Sequence, residues 1–338
     1  MKPRTIIFLL AFLLLANGVN RLGAEERLPI FDCELHYLDF NQSGDGMEAL
    51  FAALDESGIA SVCLMGVPLQ KVWSEHAAVR PRAYESDDSP VYYYGVTDVI
   101  LAREILALTP PRRARVRALI CGFNPTDRNG VNHIRLMLKL YPGLWSGIGE
   151  ILTRHDSLTH LTYGENARAD HPALDPVYAL AAAEKLPVLL HSNITSTREP
   201  DFIYLQEVER ALAGHPATTF IWAHAGTSAN IERRQHLQGL AATVARLLDR
   251  YPNLNIMLSW TLTANYLLTA DGQPDPAWLK LVRRHPDRFL VGSDVVGRFT
   301  KLKASISEER GFLKFLPPPI ARQVAYENAA RLFPRPKP

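Results

Sequence analysis

Two patterns of apolar residues alternate along the chain. Short continuous apolar runs are typical of parallel strands that are buried on both faces, whereas apolar residues spaced three or four apart are typical of amphipathic helices. The first pattern predicts eight strands, at residues 29–36, 59–66, 116–123, 144–150, 187–191, 218–224, 254–260 and 288–294. The second predicts helices between them, most clearly around residues 47–54, 177–181 and 205–212.

Turns that contain proline separate these units. At each turn a helical pattern ends, an aromatic residue or a histidine precedes a proline, and a short apolar strand follows, because proline stops a helix and starts an extended segment. The instances are Tyr141-Pro142, His215-Pro216, Tyr251-Pro252 and His285-Pro286. Asp175-Pro176 is predicted as the N-cap and first turn of the helix around residues 177–181.

The alternation of eight strands with helices predicts an α/β fold, a (β/α)8 TIM barrel. We expect one domain over residues 25–338, with long loops at the C-terminal face of the barrel. A length of 338 residues is also compatible with two domains. A doubly wound parallel sheet is the alternative fold, but the sequence has neither a G-x-G-x-x-G motif nor a P-loop.

The first 24 residues have the pattern of a secretory signal peptide. Lys2 and Arg4 precede an unbroken apolar run at residues 6–16, and small residues follow, so we expect cleavage after Ala24, with Gly18 as the other choice. The mature protein would then be periplasmic or secreted, with no stable membrane association. An uncleaved signal anchor that tethers the protein to the membrane is the alternative, although the run is too short to span a bilayer comfortably.

Composition and charge narrow the classes of function. The chain is 47% hydrophobic and 21% charged, which is ordinary for a globular protein. Its net charge of +2 comes with no basic stripe interleaved with aromatic residues, so nucleic acid is not expected as a partner. Cys33, Cys63 and Cys121 lie in or beside apolar runs and are predicted to be buried free thiols.

Five of the eight predicted strands end in a side chain that can bind a metal or move a proton. Catalytic groups of a (β/α)8 barrel come from the C-terminal ends of several strands. The candidates are Glu34 and His36 on strand 1, Glu150 on strand 4, His191 on strand 5, His224 on strand 6 and Asp294 on strand 8. Imidazole and carboxylate groups together suit Zn²⁺ or Mn²⁺, so the strand ends predict a divalent metal site. The role of Glu150 stays open between a ligand, an acid that faces the substrate and a paired structural carboxylate.

These motifs resemble the amidohydrolase superfamily, and more closely its amidohydrolase-related branch. The resemblance is carried by Asp32-x-Glu34-x-His36, Gly147-Ile148-Gly149-Glu150, His191, Trp222-Ala223-His224-Ala225-Gly226, Gly292-Ser293-Asp294 and the closing segment 326–333. It implies a (β/α)8 barrel that holds one divalent metal ion, with zinc as the first choice and manganese as the second. It also implies that the metal ligands are Glu34, His36, His191 and Asp294, and that the catalytic residues are His224 and Asp294.

The strand 1 motif departs from the most common pattern of the superfamily. Most of its hydrolases have His-x-His there, whereas Glu34-x-His36 is similar to the non-oxidative aromatic-acid decarboxylases of the same branch. No lysine stands at the position of Glu150, which argues against a second metal ion. The primary expectation is an exported metal-dependent hydrolase that acts on a small-molecule amide, ester or lactone through a metal-activated water. A metal-dependent decarboxylase of an aromatic or enol acid is the alternative, and an inactive exported binding protein is the third.

Two long loops, at residues 67–95 and 151–172, are expected to lie over the barrel mouth, where substrate-specific groups belong. Their aromatic and cationic side chains suit a planar, anionic small molecule, although a packed lid with a solvated rim would have the same composition. The predicted substrate contacts are Lys71, Tyr93, Arg154, Asn193 and Trp260. Assembly of the protein into a homo-oligomer stays open at this point.

Overall fold

The computed structural model describes residues 28–85 and 87–334. The predicted signal peptide, residues 1–24, lies outside the described residues. The predicted barrel domain is described from residue 28 onward.

Eight parallel strands form a continuous sheet whose two ends meet. In spatial order they are β1 (Ile30–His36), β2 (Ile59–Met65), β5 (Val116–Ile120), β6 (Trp145–Thr153), β7 (Val188–Ser192), β8 (Phe220–Trp222), β9 (Leu254–Leu258) and β10 (Phe289–Val291). Asp32 of β1 pairs with Val291 of β10, which joins the last strand to the first. The predicted (β/α)8 barrel is therefore confirmed, and each predicted strand is present.

Helices follow the strands and cover the outside of the sheet. They are α1 (Gly46–Ser57), α2 (Val96–Leu106), α3 (Pro110–Arg113), α4 (Gly130–Leu140), α5 (Asp175–Glu184), α6 (Leu205–Gly214), α7 (Ala229–Glu232), α8 (Leu240–Arg250), α9 (Trp260–Leu262), α10 (Pro276–Arg284), α11 (Leu302–Leu313), α12 (Pro318–Arg322) and α13 (Asn328–Leu332). A hairpin of β3 (Leu69–Lys71) and β4 (Val91–Tyr93) lies inside the first long loop, and β11 (Val295–Val296) extends the sheet next to β1.

The apolar core has two layers. The larger layer lies between the sheet and the helices, and a smaller one fills the barrel interior, where Phe31, Leu189 and Phe333 are almost completely buried. The three cysteines are buried and unpaired in this inner layer, as predicted. Asn328 attaches the last helix to the barrel, because its side-chain amide donates to the carbonyls of Pro286 and Phe289 at 2.7 and 2.8 Å.

The ends of several elements differ from the sequence prediction. Helix α5 begins at Asp175 itself, and the Asp175 carboxylate accepts a hydrogen bond from His215 at 3.0 Å instead of capping the helix. Strand β8 ends at Trp222, two residues before His224, because the backbone turns into the left-handed region at His224 and Ala225. Among the described residues, no helix combines the length and the apolar character that crossing a bilayer requires.

Candidate active site

Five of the residues predicted at strand ends meet at one end of the barrel. Their possible ligand atoms form two groups, each with all atoms within 4.8 Å of one another, and Glu150 belongs to both. The first group is His36, Glu150 and Asp294, and the second is Glu150, His191 and His224. The structure thus brings together side chains that lie up to 258 residues apart in the sequence.

The contacts within this cluster are short. His36 Nε2 lies 3.3 Å from Glu150 Oε2 and 3.5 Å from Asp294 Oδ1. His191 Nδ1 lies 3.2 Å from the other oxygen of Glu150 and 3.0 Å from His224 Nε2. Because Glu150 contacts both His36 and His191, it connects the two halves of the cluster.

Both histidines that contact Glu150 are held from behind by an oxygen acceptor. His36 Nδ1 donates to the carbonyl of Gly66 at 2.8 Å, and His191 Nε2 donates to Asn193 Oδ1 at 3.0 Å. The remaining ring nitrogen of each histidine therefore faces the carboxylates. This arrangement, in which a histidine donates its second N–H to an outer acceptor, is the usual one for histidines that bind a metal.

Glu34 lies behind His224 and does not belong to either group of ligand atoms. Its Oε2 accepts a 2.6 Å hydrogen bond from Ser259, and Ser259 Oγ lies 3.0 Å from His224 Nδ1. Because the proton of Ser259 points to Glu34, the serine oxygen accepts from His224 Nδ1–H. The prediction that Glu34 is a metal ligand stays a prediction, and this geometry favours a role in orienting His224.

Burial and neighbouring charges both shift the pKa values of the cluster. Burial and the carboxylate of Glu34 raise the pKa of Asp294 to about 6. Burial by itself would lower the pKa of His224, but Glu34 and other carboxylates raise it to about 9. Burial also opposes the charge on His36, yet Asp294 and Glu150 raise its pKa well above the ordinary value. The carboxylates therefore favour a positive charge at the centre of the cluster.

Several site residues adopt the left-handed backbone region, which is uncommon for residues other than glycine. The φ angles are +39° at His224, +44° at Trp260, +50° at Asp294 and +47° at Arg154. Residues in such conformations cost free energy and cluster at functional sites. Each of the first three lies two or three residues beyond the end of a barrel strand.

Three residues that the sequence analysis did not select complete the site. Glu85, from the first long loop, lies with its Oε1 3.2 Å from His155 Nε2 and accepts a 2.7 Å hydrogen bond from Ser157. The ring of His155 stacks on that of His191, with centroids 4.4 Å apart. Burial opposes the charge on Glu85, but His155 and Ser157 lower its pKa to about 2. These residues stand in irregular loops with no motif, so no sequence signal separated them from the loop surface.

The cluster faces a small inner cavity and, beyond His155, a larger outer cavity. The inner cavity has a volume of about 20 Å³, which is room for about one water molecule. Its charged lining comprises His36, Glu85, Glu150, His155, His191 and Asp294, and its apolar wall includes Phe40, Val67, Leu152, Leu158 and Val296. The outer cavity has a volume of about 310 Å³, and each of the residues that line it has a polar side chain.

The predicted substrate contacts have different positions. Lys71 is buried and binds Asp87 at 3.0 Å and the carbonyl of Tyr84. Its charge is therefore paired with Asp87 within the first long loop. Tyr93 packs against the apolar wall of the inner cavity, and its buried hydroxyl has no hydrogen-bond partner among the described residues.

The other three predicted contacts lie at the outer cavity or beside the histidines of the cluster. Arg154 lines the outer cavity, where its Nε donates to Glu207 at 2.8 Å and its guanidinium lies 4.4 Å from the Tyr204 ring. Asn193 holds His191, as described above. Trp260 packs edge-on against His224, with ring centroids 5.2 Å apart.

The donor set fits a divalent cation. Imidazole nitrogens and carboxylate oxygens are the ligands that Zn²⁺ and Mn²⁺ accept in proteins. Glu150 Oε1 is buried without a hydrogen-bond donor, although an unpaired buried carboxylate oxygen is costly. A cation bound beside His191 Nδ1 would give Glu150 Oε1 the partner that it lacks.

Comparison with known proteins places this chain in a family. The sequence model of the amidohydrolase family (Amidohydro_2) matches residues 137–335, more than half of the chain. The chain belongs to the amidohydrolase family, whose members are metal-dependent enzymes. This confirms the resemblance on which the sequence analysis relied. No curated protein matches the chain.

Solved structures that resemble this one include decarboxylases and a hydrolase. The 2,6-dihydroxybenzoate decarboxylase from Rhizobium is 14% identical, with a TM-score of 0.56 over 90% of this chain and 98% of that chain. A dihydroxybenzoic acid decarboxylase from Polaromonas, with bound manganese and the inhibitor 2-nitroresorcinol, is 14% identical, with a TM-score of 0.56 over 90% and 96%. Dihydroorotase from Campylobacter jejuni is 14% identical, with a TM-score of 0.51 over 90% and 83%. At these identities the likeness shows a shared fold.

Proposed function

We propose that the protein is a metal-dependent hydrolase that acts on the carbonyl group of a small-molecule amide, ester or lactone. The observation that carries this proposal is the buried cluster of His36, Glu150, His191 and Asp294, with His224 oriented into it by Ser259 and Glu34. The cluster supplies ligands for a cation, and His224 supplies a proton at a fixed position. Metal-dependent hydrolysis uses both.

In this proposal His36, Glu150, His191 and Asp294 hold one divalent cation, either zinc or manganese. When bound, the cation would supply Lewis acidity, which polarises a carbonyl oxygen and lowers the pKa of water. The Polaromonas decarboxylase with bound manganese supports manganese as one of the two choices. Metal analysis of the purified protein tests this part, and a protein that binds neither zinc nor manganese would be inconsistent with it.

The side chains of the cluster divide the proton transfers between them. Asp294, whose Oδ1 lies 3.5 Å from His36 Nε2, takes a proton from the attacking water as the general base. His224 holds a proton at Nε2 and delivers it to the leaving group. Ser259 and Glu34 fix the ring of His224, so the proton is already directed towards the cluster.

A screen of amides, esters and lactones on the metal-loaded protein tests the reaction class. We expect release of an acid together with an amine or alcohol. His224→Gln should lower kcat by about 10²–10⁴-fold, the usual contribution of a positioned acid or base. His215→Gln is the matched control, since His215 pairs with Asp175 away from the cluster. Equal activity in both variants would contradict the role of His224.

A decarboxylase of an aromatic acid is the second candidate. The apolar wall of the inner cavity, which includes Phe40, Leu152 and Leu158, favours a flat ring above the charged cluster. Glu34-x-His36 is also similar to the motif of such decarboxylases. Release of CO₂ from an aromatic acid, without hydrolysis of any ester, amide or lactone, would establish this candidate instead. Metal binding without turnover in either screen would favour an inactive binding protein.

Export is a further part of the proposal and rests on the sequence of residues 1–24. The mass of the protein recovered from the periplasm or the medium would test it. We expect a chain that begins at Glu25. A full-length chain in the membrane fraction would support the uncleaved anchor.

A further inference from the structure

The carboxylate of Glu85 contacts two hydrogen-bond donors next to the cluster of candidate metal ligands. His155 Nε2 lies 3.2 Å from one of its oxygens, and Ser157 Oγ donates to the other at 2.7 Å. The side chains of Glu85 and His155 are only 14% and 5% exposed. Two donors on one carboxylate in a buried position are the arrangement by which proteins recognise a carboxylate ligand.

The two donors are fixed independently of Glu85. His155 stacks on His191, and its Nδ1 lies 3.2 Å from Ser157 Oγ, so the pair is held within the loop that follows β6. Thr159 Oγ1 also accepts a hydrogen bond from the backbone N–H of His155. Glu85 comes from a different loop, before β4, and reaches the pair across the barrel mouth.

The space beside the cluster is small while Glu85 holds this position. The inner cavity has room for about one water molecule, and Glu85 forms part of its wall. A ligand that takes the position of the Glu85 carboxylate leaves that side chain displaced and becomes the new acceptor for His155 and Ser157. Buried donors that lose their partner are costly, so a ligand that brings its own carboxylate binds with the smallest loss.

We propose that His155 and Ser157 form a carboxylate-binding subsite, filled in this structure by Glu85, which receives a carboxylate of the substrate. The His155 ring of this subsite stacks on the ring of His191 in the cluster, with centroids 4.4 Å apart. The substrate class is thus a small molecule whose carboxylate lies beside the group that reacts. His155 also lines the outer, polar cavity, so the rest of such a molecule can extend there. The inference rests on the proposed function, because it treats the cluster as the reaction centre.

Acetate tests the subsite, since it supplies the atoms that Glu85→Ala removes. Calorimetric titration of the metal-loaded protein at constant ionic strength should show saturable acetate binding to E85A, about 10-fold or more tighter than to the wild type. Acetamide, which has the same shape without the charge, should not distinguish the two proteins. Adding Ser157→Ala to E85A should weaken acetate binding by about 10-fold.

The controls separate this subsite from other ways of binding acetate. Glu165→Ala removes another carboxylate that pairs with a histidine, His171, and should leave acetate binding unchanged. Equal binding of acetamide and acetate by E85A, or no effect of Ser157→Ala, would overturn the proposal. So would acetate binding that disappears when the metal is removed, because the anion would then be bound by the metal. If E85A does not fold, Glu85→Ser also removes the carboxylate and leaves the subsite open to acetate, so it gives the same comparison. The titrations need no turnover, so their failure is distinguishable from failure of the proposed hydrolysis.

Discussion

Glu34 Oε2 lies 3.6 Å from His224 Nδ1, and Ser259 Oγ is hydrogen-bonded to both residues. The carboxylate that the strand 1 motif suggests as a metal ligand is thereby engaged with a histidine and a serine. The same contact fixes which nitrogen of His224 faces the cluster. An experiment can therefore decide whether Glu34 binds the metal or orients His224.

Glu34→Gln should retain the metal stoichiometry of the wild type, because its carboxylate orients His224 in this geometry. Ser259→Ala should behave in the same way and lower kcat by about 10–100-fold, the usual effect of removing an outer partner. Ser259→Thr keeps the hydroxyl and should restore most of the rate. Metal analysis distinguishes the two roles of Glu34, since loss of metal from E34Q would show that Glu34 is a ligand.

Glu150→Gln should weaken metal binding more than any change to a residue that belongs to one ligand group only. Glu150 contributes to both groups, and its two oxygens face His36 and His191. Calorimetric titration with Zn²⁺ and Mn²⁺ measures the effect, and Asp294→Asn provides the comparison. Full metal affinity in E150Q would assign Glu150 to the substrate or to a structural pair.

Asn193→Ala should lower metal affinity by about 10–100-fold without removing a ligand. The side chain of Asn193 accepts the hydrogen bond that sets the tautomer and orientation of His191. The matched control is Asn255→Ala, since Asn255 is also buried but bonds the carbonyl of Phe220 in the barrel wall. A competition assay with a chelator would reveal the change, and equal affinities of the two variants would contradict this role.

Glu309→Gln should increase stability progressively as the pH rises above the ordinary pKa of a glutamate. Burial raises the pKa of Glu309 well above that value, while Thr263 donates to one of its oxygens at 2.6 Å. The folded state thus binds a proton that the unfolded state has already lost, so stability falls as pH rises through this window. The amide has no proton to lose, so the variant lacks this dependence.

Thermal unfolding at several pH values measures the difference between E309Q and the wild type. Glu308→Gln, an exposed change on the same helix, is the control and should show no such trend. A stability difference that stays constant with pH would contradict the raised pKa of Glu309.

Asn328→Ala should destabilise the protein by about 1–3 kcal/mol, the cost of buried groups that lose their hydrogen-bond partners. Its side chain donates to the carbonyls of Pro286 and Phe289, so the variant leaves both without this donor and loosens α13. Denaturant unfolding of N328A measures the loss. The exposed Asn129→Ala serves as the control, and equal stability of the two variants would be inconsistent with the anchoring role.

The strands and the positions of the catalytic candidates could be predicted from the sequence for a physical reason. Strands buried on both faces require continuous apolar runs, and the proline turns mark where each run begins. In a barrel the C-terminal ends of all strands share one face, so His36, Glu150, His191 and Asp294 were expected together before any distance was known.

The partners of these residues depended on tertiary structure. Nothing in the sequence distance between Glu34 and Ser259 shows that they meet. The hydrogen bond forms because β1 and β9 flank β10 in the sheet. Glu85 and His155 likewise come from irregular loops, whose course is set by contacts such as that of Lys71 with Asp87. The alternation of apolar and polar positions thus determined which strand ends carry the chemistry. Long-range packing alone decided which groups orient these side chains. Loop paths and side-chain contacts leave no periodic pattern in the sequence from which they could be predicted.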